Sequence, residues 1–136
     1  MVDRIFLQEG RMGLFDFLKK LGGDTADTAG SGDAGRRIDI NQGIEEMEDK
    51  PEATLLDVRD PMEYADGHIP GSINIPVGSI AMAADAMPDE DKEKPVYVYC
   101  LTGIRSRKAA SILRDSGFTD VTDLGGINAW RGELET

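Results

Sequence analysis

Cysteine and histidine are nearly absent from this sequence, since each occurs once in 136 residues. One cysteine excludes a disulfide within the chain, and one cysteine with one histidine cannot supply the ligands of a structural zinc site. We therefore predict neither a bound metal nor a cofactor. A chain without disulfides is typical of a reducing compartment, so we expect a cytoplasmic protein.

Positive charge is also scarce, with 15 Lys and Arg against 26 Asp and Glu, a net charge of −11 and a pI near 4.4. A nucleic-acid binder needs a basic face to displace counterions from phosphates, so we expect no nucleic-acid partner. No apolar run approaches the roughly 20 residues of a membrane span, and the N-terminus does not resemble a signal peptide. The length suits one domain with one core, which we expect to be monomeric.

The first 35 residues differ in composition from the rest. Residues 22–35, GGDTADTAGSGDAG, contain no large side chain that could offset the entropy of ordering, which predicts a flexible linker. Residues 13–21 carry apolar side chains at roughly helical spacing. We favour a leader without contacts, and the alternative is an amphipathic helix that docks on a partner or a membrane surface. Met12 is a second candidate start, because codons for the preceding residues can spell a ribosome-binding site. We therefore divide the chain into a leader and linker over 1–35 and one domain over 36–136.

From residue 36 onward, short apolar runs alternate with helical segments, which is typical of a mostly parallel sheet. We predict a helix beginning at Asp60, with Pro61 in its first turn, Glu63 as its capping-box partner and an end by Gly67. The first helix is predicted to be capped by Asn41. Strands are predicted near 38–40, 54–58, 72–75, 96–99 and 121–124, with further helices within 77–87 and over 105–116 and a helical turn at 128–131.

The single thiol lies in the stretch PVYVYCLTGIRSRKAASIL, where a predicted strand ends and a predicted helix begins. Ligands of open α/β sheets bind outside the carboxyl ends of the strands, which places Cys100 at an accessible edge. A loop that curls into a helix directs its N–H groups inward and adds to the positive end of the helix dipole. The alternative is that Cys100 is only a small buried apolar side chain.

The residues after the thiol strengthen the first of these interpretations. Gly103 permits a tight curl, Thr102 and Ser106 offer hydroxyl donors, and Arg105 adds a permanent charge. Together they favour a thiolate and an anionic substrate at the same position.

Three segments together resemble the single-domain rhodaneses, sulfurtransferases that carry sulfur as a cysteine persulfide. They are LLDVRDPMEYADGHIPGSINIP over 55–76, YCLTGIRS over 99–106 and GFTDVTDLGGINAW over 117–130. The resemblance covers nearly all of the chain after the linker. It implies a three-layer α/β/α fold with a five-stranded parallel sheet.

The resemblance also implies a mechanism in which Cys100 is the catalytic nucleophile. It takes sulfane sulfur from a donor such as thiosulfate, a persulfide or a polysulfide, and passes the sulfur to a thiol or cyanide. No second cysteine can discharge the persulfide, so the acceptor is external, either a small thiol or a partner protein. The implied substrate-binding loop consists of Leu101, Thr102, Gly103, Ile104, Arg105 and Ser106.

Other polar residues are assigned supporting roles. We expect Asp57, Arg59 and Glu63 to form an ion-pair and hydrogen-bond network under the site. His68 fits a structural position better than that of a base for Cys100, since no orienting third group is evident.

Two rival functions remain open. In the first, the domain is a sulfur carrier or sensor that does not turn over. In the second, it is a phosphatase of the same fold. Those phosphatases have five residues between cysteine and arginine, whereas four separate Cys100 from Arg105 here, which suits a sulfur atom better than a phosphate. Leu101 and Ile104 make the loop rim apolar, so we expect weak activity with thiosulfate and better transfer from persulfides or polysulfides to thiols.

Overall fold

The structure is a computed structural model, and it describes residues 35–136. The predicted linker, except for Gly35, lies outside the described residues, as do the apolar segment at 13–21 and the second candidate start at Met12.

The described residues form one parallel sheet with helices on both faces, which confirms the predicted fold class. The sheet has five strands in the order β1-β5-β4-β2-β3, and every neighbouring pair is parallel. In chain order the strands are β1 (Arg36–Arg37), β2 (Thr54–Asp57), β3 (Ile73–Asn74), β4 (Val96–Cys100) and β5 (Val121–Gly126).

Four helices and three short 3₁₀ turns connect the strands. The helices are α1 (Ile40–Met47), α2 (Pro61–Asp66), α3 (Ile80–Ala86) and α4 (Ile104–Asp115). The 3₁₀ turns are Val77–Ser79, Asp89–Glu93 and Ile127–Ala129. Within residues 35–136, none of the helices has the length and apolar character needed to cross a membrane.

The core consists of two apolar layers separated by the sheet. Successive side chains of a strand point to opposite faces of the sheet. All residues of β4 are buried, so its side chains enter both layers in turn. Val96 and Val98 pack in the layer that α3 and α4 cover. Tyr97 and Tyr99 pack in the opposite layer, with α1. Cys100 continues the valine series and therefore faces the side of α4.

The strand predicted at 38–40 is wrong, because the first strand is Arg36–Arg37 and α1 already begins at Ile40. The cap is Asp39 rather than Asn41, since the Asp39 carboxylate accepts the N–H groups of Asn41 and Gln42 at 3.0 and 3.2 Å. The apolar pattern of this segment belongs to a helix that buries Ile40, not to a buried strand.

The predicted start of α2 is confirmed. Asp60 and Glu63 form a capping box, in which the Asp60 N–H donates to Glu63 Oε1 at 2.8 Å, and Gly67 follows the last helical residue. The helix predicted over 105–116 runs from Ile104 to Asp115, and Gly117 adopts a φ of +107° after it. The sequence thus predicted the positions of both α2 and α4.

Candidate active site

The thiol of Cys100 lies at the carboxyl end of the central strand, as expected, but it is not accessible, because only 1% of the residue is exposed. The register between β4 and β5 shifts between Val98 and Cys100, so that Cys100 pairs with Gly126. This irregularity ends the strand at the position where the chain turns into the loop before α4. The sheet thus presents the sulfur to the N-terminus of α4.

Two backbone amides point at the sulfur. The N–H of Gly103 donates to Cys100 Sγ at 3.0 Å, and the N–H of Ser106 donates to it at 3.3 Å. Gly103 is the N-cap of α4, a helix of 12 residues, so both donors belong to its positive end. The loop therefore stabilises negative charge on sulfur through fixed dipoles that need no rearrangement.

Gly103 is required by the shape of this loop. Its φ is +107°, in the left-handed region that residues with a Cβ rarely adopt. A Cβ at this position would also lie 3.0 Å from Arg37 Nη2 and 3.4 Å from the Cα of Gly125. Arg37 Nη2 in turn donates to the Gly103 carbonyl oxygen at 2.7 Å, which holds the turn in place.

The loop packs directly against the end of β5. A Cβ on Gly126 would lie 2.3 Å from the carbonyl oxygen of Leu101 and 2.8 Å from the Cα of Thr102, so only glycine allows this approach. The N–H of Asn128 donates to the Leu101 carbonyl oxygen at 3.3 Å. Gly126 thus allows the thiol loop to pack against the end of β5.

Asp123, on β5, connects the parts of the loop, although it was not among the residues predicted from the sequence. Its Oδ2 accepts from Nε and Nη2 of Arg37 at 3.0 and 2.8 Å. Its Oδ1 accepts from the Ser106 hydroxyl at 2.7 Å and from the Gly125 N–H at 2.8 Å. The signal in the sequence was a carboxylate inside an otherwise buried strand, where only paired charges are tolerated.

The contacts of Asp123 correct the expected role of Ser106. The Ser106 hydroxyl was expected to offer a donor at the site, but it is fully buried and directed at Asp123. Ser106 therefore faces the sulfur with its N–H and not with its side chain. Thr102 is exposed on the loop.

Arg105 does not present an uncompensated charge. Its Nη1 and Nη2 donate to Oε1 and Oε2 of Glu63 at 2.8 and 3.1 Å. This hydrogen-bonded guanidinium is the main reason why the pKa of Glu63 is lowered to about 2. The expected network therefore divides into two pairs, one of which joins α2 to the first turn of α4.

Asp57 and Arg59 form the other pair, which is almost completely buried. Arg59 Nη2 donates to Asp57 Oδ2 at 2.7 Å, and its Nε donates to both carboxylate oxygens at 3.0 and 3.1 Å. Arg59 Nη2 also donates to the carbonyl oxygen of Gly67 at 2.7 Å. The pair thus ties the end of β2 to the end of α2, and none of these contacts reaches the sulfur.

His68 is held away from the thiol by its own contacts. Its ring stacks on Tyr64 with the centroids 3.7 Å apart, and its Nδ1 lies 2.8 Å from the Tyr64 carbonyl oxygen. Its backbone pairs with Glu135. These contacts fit the structural position expected for it. Among residues 35–136, no three His, Cys, Asp or Glu side chains lie close enough to hold a metal ion.

Three comparisons with known proteins agree with this geometry. The family described as rhodanese-like domain matches residues 41–133. The thiosulfate sulfurtransferase GlpE of Pseudoalteromonas translucida is 39% identical over 96 residues, which cover 70% of this chain and 88% of that protein. A solved structure described as rhodanese with anions from E. coli is 34% identical, with a TM-score of 0.55 over 62% of this chain and 98% of that one.

A longer relative carries a different description. The putative sulfur carrier protein YrkF of Bacillus subtilis is 30% identical over 120 residues, which cover 88% of this chain. The chain spans 62% of the length of that protein. Some relatives are therefore nearly matched in full, and others extend well beyond this chain.

Proposed function

The chain belongs to the rhodanese-like domain family, and we propose that it is a sulfurtransferase in which Cys100 carries sulfane sulfur as a persulfide. The observation that carries the proposal is the pair of N–H groups, from Gly103 and Ser106, that point at the buried Sγ. A thiolate and a persulfide anion are both stabilised by such donors at a helix N-terminus.

The reaction divides into two displacements on sulfur. The Cys100 thiolate attacks the sulfane sulfur of a persulfide donor, the S–S bond of the donor breaks, and the donor thiolate leaves with the electron pair. The terminal sulfur of the resulting Cys100 persulfide is then attacked by an acceptor thiolate, which becomes the new persulfide. The second step restores the Cys100 thiolate, so no external oxidant or reductant is consumed.

The charge balance of the loop favours persulfides or polysulfides as donors over thiosulfate. Thiosulfate is a dianion, and Arg105, whose charge would attract it, is already paired with both oxygens of Glu63. The whole chain carries a net charge of −11, which repels a dianion further. The remaining attraction comes from the backbone dipoles, which act on any sulfur anion.

The acceptor in this proposal is an external thiol. Cys100 is the only cysteine in the chain, so no internal thiol can resolve the persulfide. A small thiol or a cysteine of another protein must therefore complete each turnover, and the reducing cytoplasm is the compartment where such thiols are available.

A sulfur carrier that does not turn over is the second candidate, supported by the description of the relative YrkF. Carrier and catalyst use the same thiol and the same loop, and they differ only in how fast the persulfide is discharged. The phosphatase alternative is not favoured. Only four residues separate Cys100 from Arg105, and the N–H groups of Gly103 and Ser106 already lie 3.0 and 3.3 Å from Sγ, so the loop suits a sulfur atom better than a phosphate.

Intact-mass measurement tests the proposal. The protein is incubated with an organic persulfide, separated from excess donor and then mixed with a small thiol. We expect the mass to rise by one sulfur atom and to return when the thiol is added, and we expect no change in the Cys100→Ser variant. A wild-type mass that never changes would contradict the proposal. Many turnovers per protein molecule indicate a catalyst, and a single slow discharge indicates a carrier.

A further inference from the structure

Two exposed cations lie beside the thiol loop. Arg107 and Lys108 lie in the second turn of α4, and within residues 35–136 neither side chain takes part in an ion pair. Arg105, by contrast, is neutralised by Glu63. The uncompensated positive charge near Cys100 therefore lies on the outer surface of α4 and not inside the loop.

An apolar side chain shares this surface. Residues three and four apart lie side by side on a helix, so Ile104, Arg107 and Lys108 occupy one face of α4. Ile104 is 78% exposed. Met62, which is 80% exposed, directly precedes the residue of α2 that binds Arg105. We call Met62, Ile104, Arg107 and Lys108 the acceptor face.

We propose that the acceptor face binds a partner protein whose reactive cysteine lies in an acidic segment, and this inference rests on the proposed function. The combination of exposed apolar groups and unpaired cations next to a reactive group is typical of a docking site, in which the apolar part supplies contact and the charges supply orientation. A small thiol needs neither of these features, because it reaches the sulfur without covering α4.

The net charge of the chain distinguishes the acceptor face from the rest of the surface. The chain has a net charge of −11, so most of its surface repels an acidic partner. The acceptor face is an exception, and an acidic segment would therefore be steered to the loop rather than to other parts of the surface. Net charge alone predicts the opposite preference, for a basic partner.

Two matched cysteine peptides test the inference with the full-length protein. One has glutamates on both sides of its cysteine and the other has lysines at the same positions. At low ionic strength we expect the Cys100 persulfide to transfer sulfur about tenfold faster to the glutamate peptide, and we expect the difference to shrink at high salt. Fluorescence anisotropy with labelled peptides that carry serine in place of cysteine measures binding without any chemistry.

Variants that remove positive charge show which residues cause the preference for the glutamate peptide. The double substitution R107Q/K108Q should remove the preference for the glutamate peptide while transfer to 2-mercaptoethanol stays unchanged. The control R36Q/K50Q also removes two positive charges, but near α1, where both side chains contact Glu46. This variant should keep the preference for the glutamate peptide.

The outcomes separate the two proposals. Faster transfer to the lysine peptide, or an R107Q/K108Q variant that still prefers the glutamate peptide, overturns the acceptor face. If no persulfide forms, the proposed function fails, and the binding of the serine peptides still decides whether the acceptor face recognises acidic segments.

Discussion

The guanidinium of Arg105 and the carboxylate of Glu63 meet in a two-point ion pair, at 2.8 and 3.1 Å, across 42 residues of sequence. Glu63 Oε1 also accepts the N–H of Asp60 at the start of α2. One carboxylate thus caps α2, binds the first turn of α4 and neutralises Arg105, the cation of the thiol loop. This arrangement determines both the position of the loop and the electrostatics of the site.

Substitution of Glu63 by Gln should change donor preference. The amide oxygen can still accept a hydrogen bond, but the charge of Arg105 is no longer cancelled. We expect kcat/KM for thiosulfate to rise by about tenfold relative to that for a neutral organic persulfide. Steady-state kinetics with both donors measures this ratio, and a ratio equal to that of the wild type would show that the pair does not set specificity.

The same pair predicts a dependence of stability on pH. The pKa of Glu63 is lowered from 4.5 to about 2 in the folded protein by its hydrogen bonds with Arg105. The pair therefore stabilises the fold fully above pH 4.5, and this contribution is lost as the pH falls from 4.5 towards 2. Thermal unfolding of the wild type and of Glu63→Gln at several pH values should show the difference in Tm shrinking over this range. A constant difference would contradict the prediction.

Replacement of Cys100 by Ser should abolish transfer and preserve the fold. The side chain changes little in volume, and the serine oxygen can accept the N–H groups of Gly103 and Ser106 that now reach Sγ. We expect no detectable turnover and a change in the free energy of unfolding of about 1 kcal/mol or less. Substantial remaining turnover would show that Cys100 is not the nucleophile.

Asp123 should matter to the loop although it does not touch the sulfur. Asp123→Asn keeps one acceptor oxygen, so its NH2 group must face either Arg37 or the two donors from Ser106 and Gly125, and we expect a loss of about 1–3 kcal/mol in unfolding free energy. A double-mutant cycle with Arg37→Ala measures the coupling between the two residues. Additive effects would mean that the ion pair does not hold the loop.

Removal of residues 1–34 should leave transfer to a small thiol in vitro nearly unchanged. All the residues predicted for the site lie in the domain over 36–136, and the cut keeps Gly35, which lies against the guanidinium of Arg114. Kinetics and thermal unfolding of the shortened chain check this prediction. A marked fall in activity or solubility would show that the amphipathic segment at 13–21 packs on the domain.

Local patterns in the sequence were sufficient for much of the fold. The capping box of α2 is encoded by residues three apart, and the buried run before Cys100 is encoded by composition alone. The first strand was misplaced because Arg36–Arg37 has no apolar signal. It is an edge strand, held by its pairing with β5, and such pairing leaves no trace in the neighbouring residues.

The order of residues alone was enough to place one thiol between a strand and a helix, in a loop that contains glycine and arginine. What surrounds that loop depends on how the strands and helices pack. The strand order places β1 beside β5 and β5 beside β4, and this order brings Arg37 and Asp123 together from 86 positions apart. Charged and polar groups interact with whatever lies close to them in space. The neutralisation of Arg105 and the orientation of the Ser106 hydroxyl therefore depend on tertiary packing, which local sequence patterns do not encode.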